Sequence, residues 1–282
     1  MNINKFIIIL SIMVFLSIMI WLIVWSCNKK TDNITSQDDE IEKYIDSDDY
    51  DSMPYTKYKI AIVMWYDKGI ADYADIAADI NEEFCKANGF TFIKSDKRRM
   101  PERKPHWERL PLMLEVLDTN KYDYVMWIDA DAAFIHKNNK SNELLKLISL
   151  YNKDILLSGD MDSKYMPSIN SGVIIMKNTQ NSRNILKYWM SNECKSNGDT
   201  QYSRTGWNDQ NCIRYSHLVN YENIQDYSHI IPFGVLQTFD YLYPKHTHPL
   251  IRHFAGTTGK NSKFKRTEYL KQMYKTTSSL NR

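Results

Sequence analysis

Residues 122–134 read YDYVMWIDADAAF, and no other stretch restricts the fold as tightly. Tyr124, Val125, Met126, Trp127 and Ile128 are consecutive apolar, β-prone side chains, so an extended segment there leaves neither face to water. Such a run reads as a central strand buried on both sides, although periodicity alone does not separate it from a short buried helix. It ends in two carboxylates one residue apart, Asp129 and Asp131. In extended chain, residues i and i+2 point to the same side. Two like charges at the mouth of a buried strand are unfavourable unless a cation lies between them. A divalent ion meets that need, and hard carboxylate oxygens suit Mn²⁺ or Mg²⁺ better than zinc. Elsewhere a bare Asp-x-Asp is a solvated turn. Here the preceding apolar run and the small Ala130, Ala132 and Ala133 favour the metal. Ligands of open α/β sheets gather at the carboxyl ends of strands, which is where this motif falls.

The chain around it alternates strand and helix. Lys57–Tyr66 reads as a first strand. A helix over about Gly69–Asn88 follows, with Ile76, Ile80 and Phe84 on one face and Asn88-Gly89 as its stop. Phe90–Ile93 is a second strand, and Ser95–Pro105 a basic loop with Lys97, Arg98, Arg99, Arg103 and Lys104. Trp107–Leu117 is a helix turning Trp107, Leu110, Leu114 and Leu117 inward. The Asp-x-Asp strand then comes third, in the βαβ rhythm of a parallel sheet with right-handed crossovers. Beyond it come a helix at Ser141–Tyr151, a strand at Asp154–Ser158, and Asn170–Met176, whose Gly172 allows a ligand or backbone to approach closely. Asn181–Met190 is helical. A further helix opens at Trp207-Asn208-Asp209-Gln210 with Asn208 as its cap. Ile230–Phe239 and Leu250–Phe254 are the last strands, and the basic tail from Lys260 is helical in part. The fold class is α/β, with a mostly parallel central sheet flanked by helices.

The N-terminus is of a different kind. Phe6–Ser26 carries no charge, and at about 1.5 Å per residue it spans roughly the 30 Å hydrocarbon core of a bilayer. No small-x-small cleavage site follows it. Residues 1–5 therefore read as a short tail, 6–26 as a transmembrane anchor, the acidic 27–56 as a stem, and 57–282 as the folded domain. Lys29 and Lys30 after the span, against Lys5 before it, oppose an N-in orientation by the positive-inside rule. All the folded mass lies after the span, and an N-in anchor with a lumenal domain is the reading adopted. The net charge of +2 and the lack of a basic stripe interleaved with aromatics give no reason to propose nucleic acid. Cys85, Cys194 and Cys212 fit no zinc spacing and read as buried thiols, with a Cys194–Cys212 bridge left open. Asn33-Ile34-Thr35 and Asn139-Lys140-Ser141 are glycosylation sequons.

Taken as an ordered set, these motifs resemble glycosyltransferase family 34, the Golgi-anchored galactosyl-, xylosyl- and mannosyl-transferases. The segments that match are Trp107-Glu108-Arg109-Leu110-Pro111, WIDADA at 127–132, Asn170-Ser171-Gly172-Val173, Asp209-Gln210 and His253-Phe254-Ala255-Gly256, within roughly Lys59–Lys260. The resemblance implies a GT-A fold, Rossmann-like, and a type II membrane protein of the Golgi or ER. It implies transfer of a sugar from a nucleoside-diphosphate donor, with a UDP-sugar the first choice, to a glycan or glycoprotein hydroxyl with retention of configuration. It implies Asp129, Asp131 and His253 as ligands of Mn²⁺ or Mg²⁺, and Asp209 and Gln210 as the pair beside the anomeric carbon. Ala130, Arg109, Asn170, Ser171, Gly172, Gly256 and Lys260 are implied on the donor. Arg109 stands where the family often has lysine. The family's later lysine, five residues after the histidine, is here Thr258, so Lys260 or the basic loop at Lys104 are the candidate replacements.

Two other classes compete. A phosphatase of the haloacid dehalogenase type also places Asp-x-Asp after an apolar strand. That class wants the motif on the first strand and Thr or Val where this chain has Ala133. A non-catalytic sugar-binding or scaffold protein of the same fold is the second alternative, which the intact acidic residues and His253 oppose.

Overall fold

The computed structural model describes residues 55–135, 143–161, 167–201, 209–239, 249–255 and 262–280. The expected anchor, the expected stem as far as residue 54, Asn208, Gly256, Lys260 and both sequons lie outside these residues. Among the described residues no helix is long and apolar enough to cross a membrane.

In chain order the elements are β1 (Ile60–Trp65), α1 (Ala71–Asn88), β2 (Thr91–Ser95), α2 (Arg109–Asp118), β3 (Tyr124–Ile128) and β4 (Ala132–Phe134). Then come α3 (Glu143–Tyr151), β5 (Ile155–Gly159), β6 (Ile169–Lys177), α4 (Gln180–Trp189), α5 (Asn192–Gln201) and α6 (Asp209–Leu218). After a helical turn at Ile224–Tyr227 the chain ends in β7 (Ser228–Ile231), β8 (Gln237–Phe239), β9 (Ile251–His253) and α7 (Ser262–Leu280).

The main sheet has the order β2-β1-β3-β6-β5-β7. The βαβ rhythm gives parallel pairing of β1 with both β2 and β3, as the sequence predicts. β6 then inserts antiparallel between β3 and β5, so the sheet is mixed, and β7 joins β5 in parallel. The connection from β1 runs outward to β2 and the next one returns past β1 to β3. That reversal opens a crevice at the carboxyl ends of β1 and β3.

β1 and β3 are buried along their whole length. Ala61, Val63, Trp65, Val125 and Trp127 share a core with Trp107, Leu110 and Met113 before and within α2 and with Ile185, Leu186 and Trp189 of α4. Alternation sends Ile62, Met64 and Met126 to the opposite face. There α1 buries Tyr73, Ala77, Ile80 and Phe84, with Ile76 at the margin of the stripe. α1 ends where expected, at Gly89 in the left-handed conformation (φ 69°) that glycine adopts without a Cβ penalty.

A second, three-stranded sheet in the order β4-β9-β8 lies beside the crevice. The sequence reads Ile230–Phe239 as one strand, but it divides between the two sheets. Pro232 has no N–H for a ladder, and Gly234 turns at φ 98° with its N–H donating to Gln237 O at 2.9 Å. β4 is fixed from below by Asn81 of α1. This buried side chain donates to Ala132 O and accepts from Phe134 N–H, each at 3.0 Å, and so completes the strand's backbone bonding. Cys194 and Cys212 form a disulfide that ties α5 to α6, and Cys85 is a buried free thiol. Of the two readings left open for Cys194 and Cys212, the bridge is the one found.

Candidate active site

The strand predicted at 124–128 ends at Ile128, and the chain is not extended through the acidic pair. Ala132 N–H donates to Asp129 O at 3.0 Å, closing a turn over residues 129–131. Convergence of the two carboxylates therefore comes from this turn and from the start of β4, not from the pleat of a continuing strand. Ala130, inside the turn, is 8% exposed. β4 pairs antiparallel with β9 so that Ala132 faces His253, and Phe254 N–H donates to Asp131 O at 2.9 Å. A pairing across some 120 residues of sequence thus delivers the imidazole to the acidic turn. His253 Nε2 lies 3.2 Å from Asp131 Oδ1 and 3.7 Å from Asp129 Oδ2. One ligand atom from each of the three residues falls within 4.8 Å of the others, a set able to hold a metal ion.

The far side of the ring is committed. Gln237, fully buried on β8, lies opposite Ile251 and so shares a face with His253. Its Nε2 donates to Asn170 Oδ1 at 3.0 Å, which leaves its Oε1 facing His253 Nδ1 at 3.0 Å. Nδ1 must then carry a proton, and Nε2 is the nitrogen turned to the carboxylates. Asn170 Oδ1 also accepts from Gly172 N–H at 2.9 Å. Asn170 thus serves the histidine from behind.

The glycine has a more particular reason than an approaching ligand. A Cβ on Gly172 would overlap His253 Cε1, and would stand 2.8 Å from Asn170 Oδ1 and 2.9 Å from His253 Nδ1. The space a side chain would fill belongs to the imidazole. The donor set of two carboxylates and one oriented imidazole fits a divalent cation, and its mostly hard oxygens suit Mn²⁺ or Mg²⁺.

Charge is balanced from two directions. Arg109, the first residue of α2, is buried rather than a surface-helix arginine (5% exposed). Its Nη1 lies 3.3 Å from Asp129 Oδ1 and donates to Ser171 O, while its Nε lies 2.8 Å from Asp209 Oδ2 and 3.0 Å from His106 O. Trp127 Nε1 adds a 2.7 Å bond to Asp129 Oδ1. On the other side Arg266 of α7 places Nε 3.1 Å from Asp131 Oδ2. Burial raises the Asp129 pKa, and Arg109 and His253 offset this only in part. Burial also pushes Asp131 upward, but His253 and Arg266 outweigh it and hold this carboxyl below its ordinary range. Burial alone would lower His253; its contacts with Asp131 and then Asp129 prevail and raise it.

Asp209 opens α6 at 1% exposure, with Arg109 as its ion partner. Gln210 beside it accepts from Ser171 N–H at 2.9 Å and has Ser171 Oγ at 3.1 Å, both on Oε1. The structure thus gathers Asp129, Ala130, Asp131, Arg109, Asn170, Ser171, Gly172, Asp209, Gln210 and His253 into one connected region. Two arginines of the basic loop are paired with carboxylates and a third lies over an aromatic ring. Arg98 pairs with the fully buried Glu108 at 2.9 Å, Arg99 with Glu115 at 2.6 Å, and Arg103 lies over the Trp107 ring at 4.3 Å. Sequence reasoning missed Gln237, Arg266 and Asn81. The first two sit in runs with no site-like pattern, and only tertiary pairing brings them here.

Fold and site together define an α/β domain with an acidic pair and a histidine at a switch-point crevice, the architecture of the GT-A type. Solved structures similar to this chain include glycosyltransferases. One is a glycosyltransferase involved in the glycosylation of the major capsid of PBCV-1, 18% identical, with a TM-score of 0.57 over 76% of this chain and 99% of that one. Looser matches are the galactosyltransferase LgtC in complex with donor and acceptor sugar analogs (14% identity, TM-score 0.48, 77% and 95% covered) and GlyE of Streptococcus pneumoniae TIGR4 (14%, 0.42, 80% and 64%). Likeness at these identities is one of fold. No protein-family model matches the chain. No curated protein matches it in sequence either.

Proposed function

We propose that this chain is a metal-dependent glycosyltransferase, of the kind grouped in family 34, that moves a sugar from a nucleoside-diphosphate donor to a glycan or glycoprotein hydroxyl with retention. A UDP-sugar is the first choice of donor. The observation that carries the reading is the convergence of Asp129, Asp131 and His253 at the crevice of a fold shared with a solved glycosyltransferase. Mn²⁺ or Mg²⁺ held by these three residues would neutralise charge on the departing diphosphate. The chain's own groups then bind and orient. Gln237 and Asn170 hold the imidazole with Nε2 forward. Arg109 keeps Asp129 and Asp209 apart and in register. Gln210 has Oε1 tied to Ser171, and the contact of its amide NH₂ with the sugar is part of the proposal. Asp209 acts through Arg109 in this arrangement, and its contact with sugar hydroxyls is part of the proposal. Gly256 and Lys260 are proposed on the donor from the resemblance alone, as is a type II Golgi or ER location through residues 6–26.

The test is donor hydrolysis by the full-length chain against UDP-galactose, UDP-xylose, UDP-glucose and GDP-mannose, with Mn²⁺ and with EDTA. One donor should release its nucleoside diphosphate. EDTA and Asp131→Ala should abolish that release, lowering the rate by about 10³-fold, the scale at which electrostatic stabilisation of a leaving group acts. Turnover that survives both would sink the metal-dependent reading. Finding neither turnover nor metal-dependent binding of any of these nucleotide sugars would favour the scaffold reading.

A further inference from the structure

α7 follows the site in sequence and returns to it in space. Leu270 is fully buried and Met273 nearly so, Tyr269 stacks on Phe254 at 6.0 Å between centroids, and Tyr274 Oη donates to Glu83 of α1 at 3.0 Å. Lys263 adds a bond to Gly69 O. The helix is therefore seated by contacts that do not involve Arg266. Arg266 itself has its Nε 3.1 Å from Asp131 Oδ2 and 3.2 Å from Phe254 O, with the guanidinium 5.5 Å from the centre of the Tyr73 ring. Its two terminal nitrogens have no hydrogen-bond partner among the described residues, and the side chain is 18% exposed. A planar fork is thus held by one edge beside a metal-ligating carboxylate, with its other donors unspent. A guanidinium fork matches phosphate oxygens in geometry as well as charge.

We propose that Arg266 couples metal binding to donor binding, acting as the cation that meets the donor's diphosphate. The proposal rests on the nucleotide-sugar reading above. In the absence of nucleotide, Arg266 neutralises Asp131 and opposes a second, divalent cation beside it. A diphosphate held at Asp131 comes within reach of a guanidinium that already touches that carboxylate, and the anion then stabilises both cations. Arg266 therefore disfavours metal alone and favours metal with nucleotide.

The two halves have opposite signs, and that makes the test specific. Mn²⁺ binding to the full-length chain is measured by calorimetry without nucleotide, and UDP binding is measured at saturating Mn²⁺, for wild type, Arg266→Met and Arg266→Lys. Arg266→Met should bind Mn²⁺ alone about threefold more tightly, because a competing charge is gone. It should bind UDP about tenfold more weakly, the loss of one charge-assisted contact. Arg266→Lys, with charge but no fork, should fall between on the UDP arm. Parallel weakening of both arms would show a merely structural residue and overturn the proposal, as would no change in either. Wild type that binds neither Mn²⁺ nor UDP would instead sink the functional reading on which this rests.

Discussion

At the scale of single residues the site turns on His253. Its ring is clasped between Gln237 behind and two carboxylates in front. In the metal-free chain Nε2 carries its proton toward Asp131 to higher pH than a free imidazole does. That proton-linked stabilisation is fully present below the unfolded value, about 6.5, and is lost as pH rises through the raised folded value. A metal needs the same nitrogen unprotonated, so proton and metal compete. Mn²⁺ affinity followed against pH should climb through neutrality and level off only above the raised value of His253. An affinity flat from pH 5.5 upward would contradict the assignment of His253 as ligand. Gln237→Leu removes the acceptor that fixes the tautomer without touching any ligand. It should weaken Mn²⁺ about 10–100-fold, the usual loss for a residue that orients a metal-bound histidine. A Gln237→Leu chain with unchanged Mn²⁺ affinity would show that the ring is held by packing alone. Much at this scale was legible in the sequence. The acidic pair announced itself through the apolar run before it, and His253 came through the resemblance. Gln237 was not legible, because its partner lies in another strand of the small sheet and its own segment, Gln237–Phe239, carries no periodicity of note. The sequence marks Gly172 for the close approach of a ligand or backbone, and in the structure the space belongs to the imidazole.

Among the secondary-structure elements, α6 is the one whose placement matters most, because Asp209 and Gln210 form its first turn. The Cys194–Cys212 disulfide ties it to α5, while Arg214 Nε reaches Ile169 O on β6 at 3.0 Å. Closing a loop of this length stabilises the fold by about 3 kcal/mol on the chain-entropy account. Cys194→Ser should accordingly lower the midpoint of thermal unfolding by several degrees, and dithiothreitol should do the same to wild type but not to the variant. A wild-type midpoint insensitive to reductant would argue that the bridge contributes nothing. The sequence left this pairing open, since spacing alone cannot bring two thiols together. It read most helices and the first three strands in place, because their hydrophobic periods are regular. It misplaced the division of Ile230–Phe239, where one proline and one glycine redirect an apolar run from the large sheet to the small one. In the basic loop Arg98 and Arg99 are paired with Glu108 and Glu115, and a run of cations in the sequence does not show where the matching anions lie.

In the molecule as a whole, two sheets meet at one point. The main sheet supplies Asp129 at the end of its third strand, the small sheet supplies His253, and the turn between β3 and β4 belongs to both. Helices α2 and α7 bring one arginine each to opposite sides of the acidic pair. The α/β class and the parallel start of the sheet were readable from strand–helix alternation. The antiparallel insertion of β6 and the existence of a second sheet were not, because both depend on pairings between segments far apart in the chain. The central claim is that Asp129, Asp131 and His253 hold a divalent cation on which a nucleoside diphosphate assembles. The most direct measurement is titration of the full-length chain with Mn²⁺, followed by electron paramagnetic resonance, with and without UDP, beside Asp131→Ala. The account predicts one bound Mn²⁺ per chain, a spectrum that changes when UDP is added, and loss of both in the variant. Binding of UDP with no dependence on Mn²⁺, or Mn²⁺ binding that Asp131→Ala leaves intact, would contradict it.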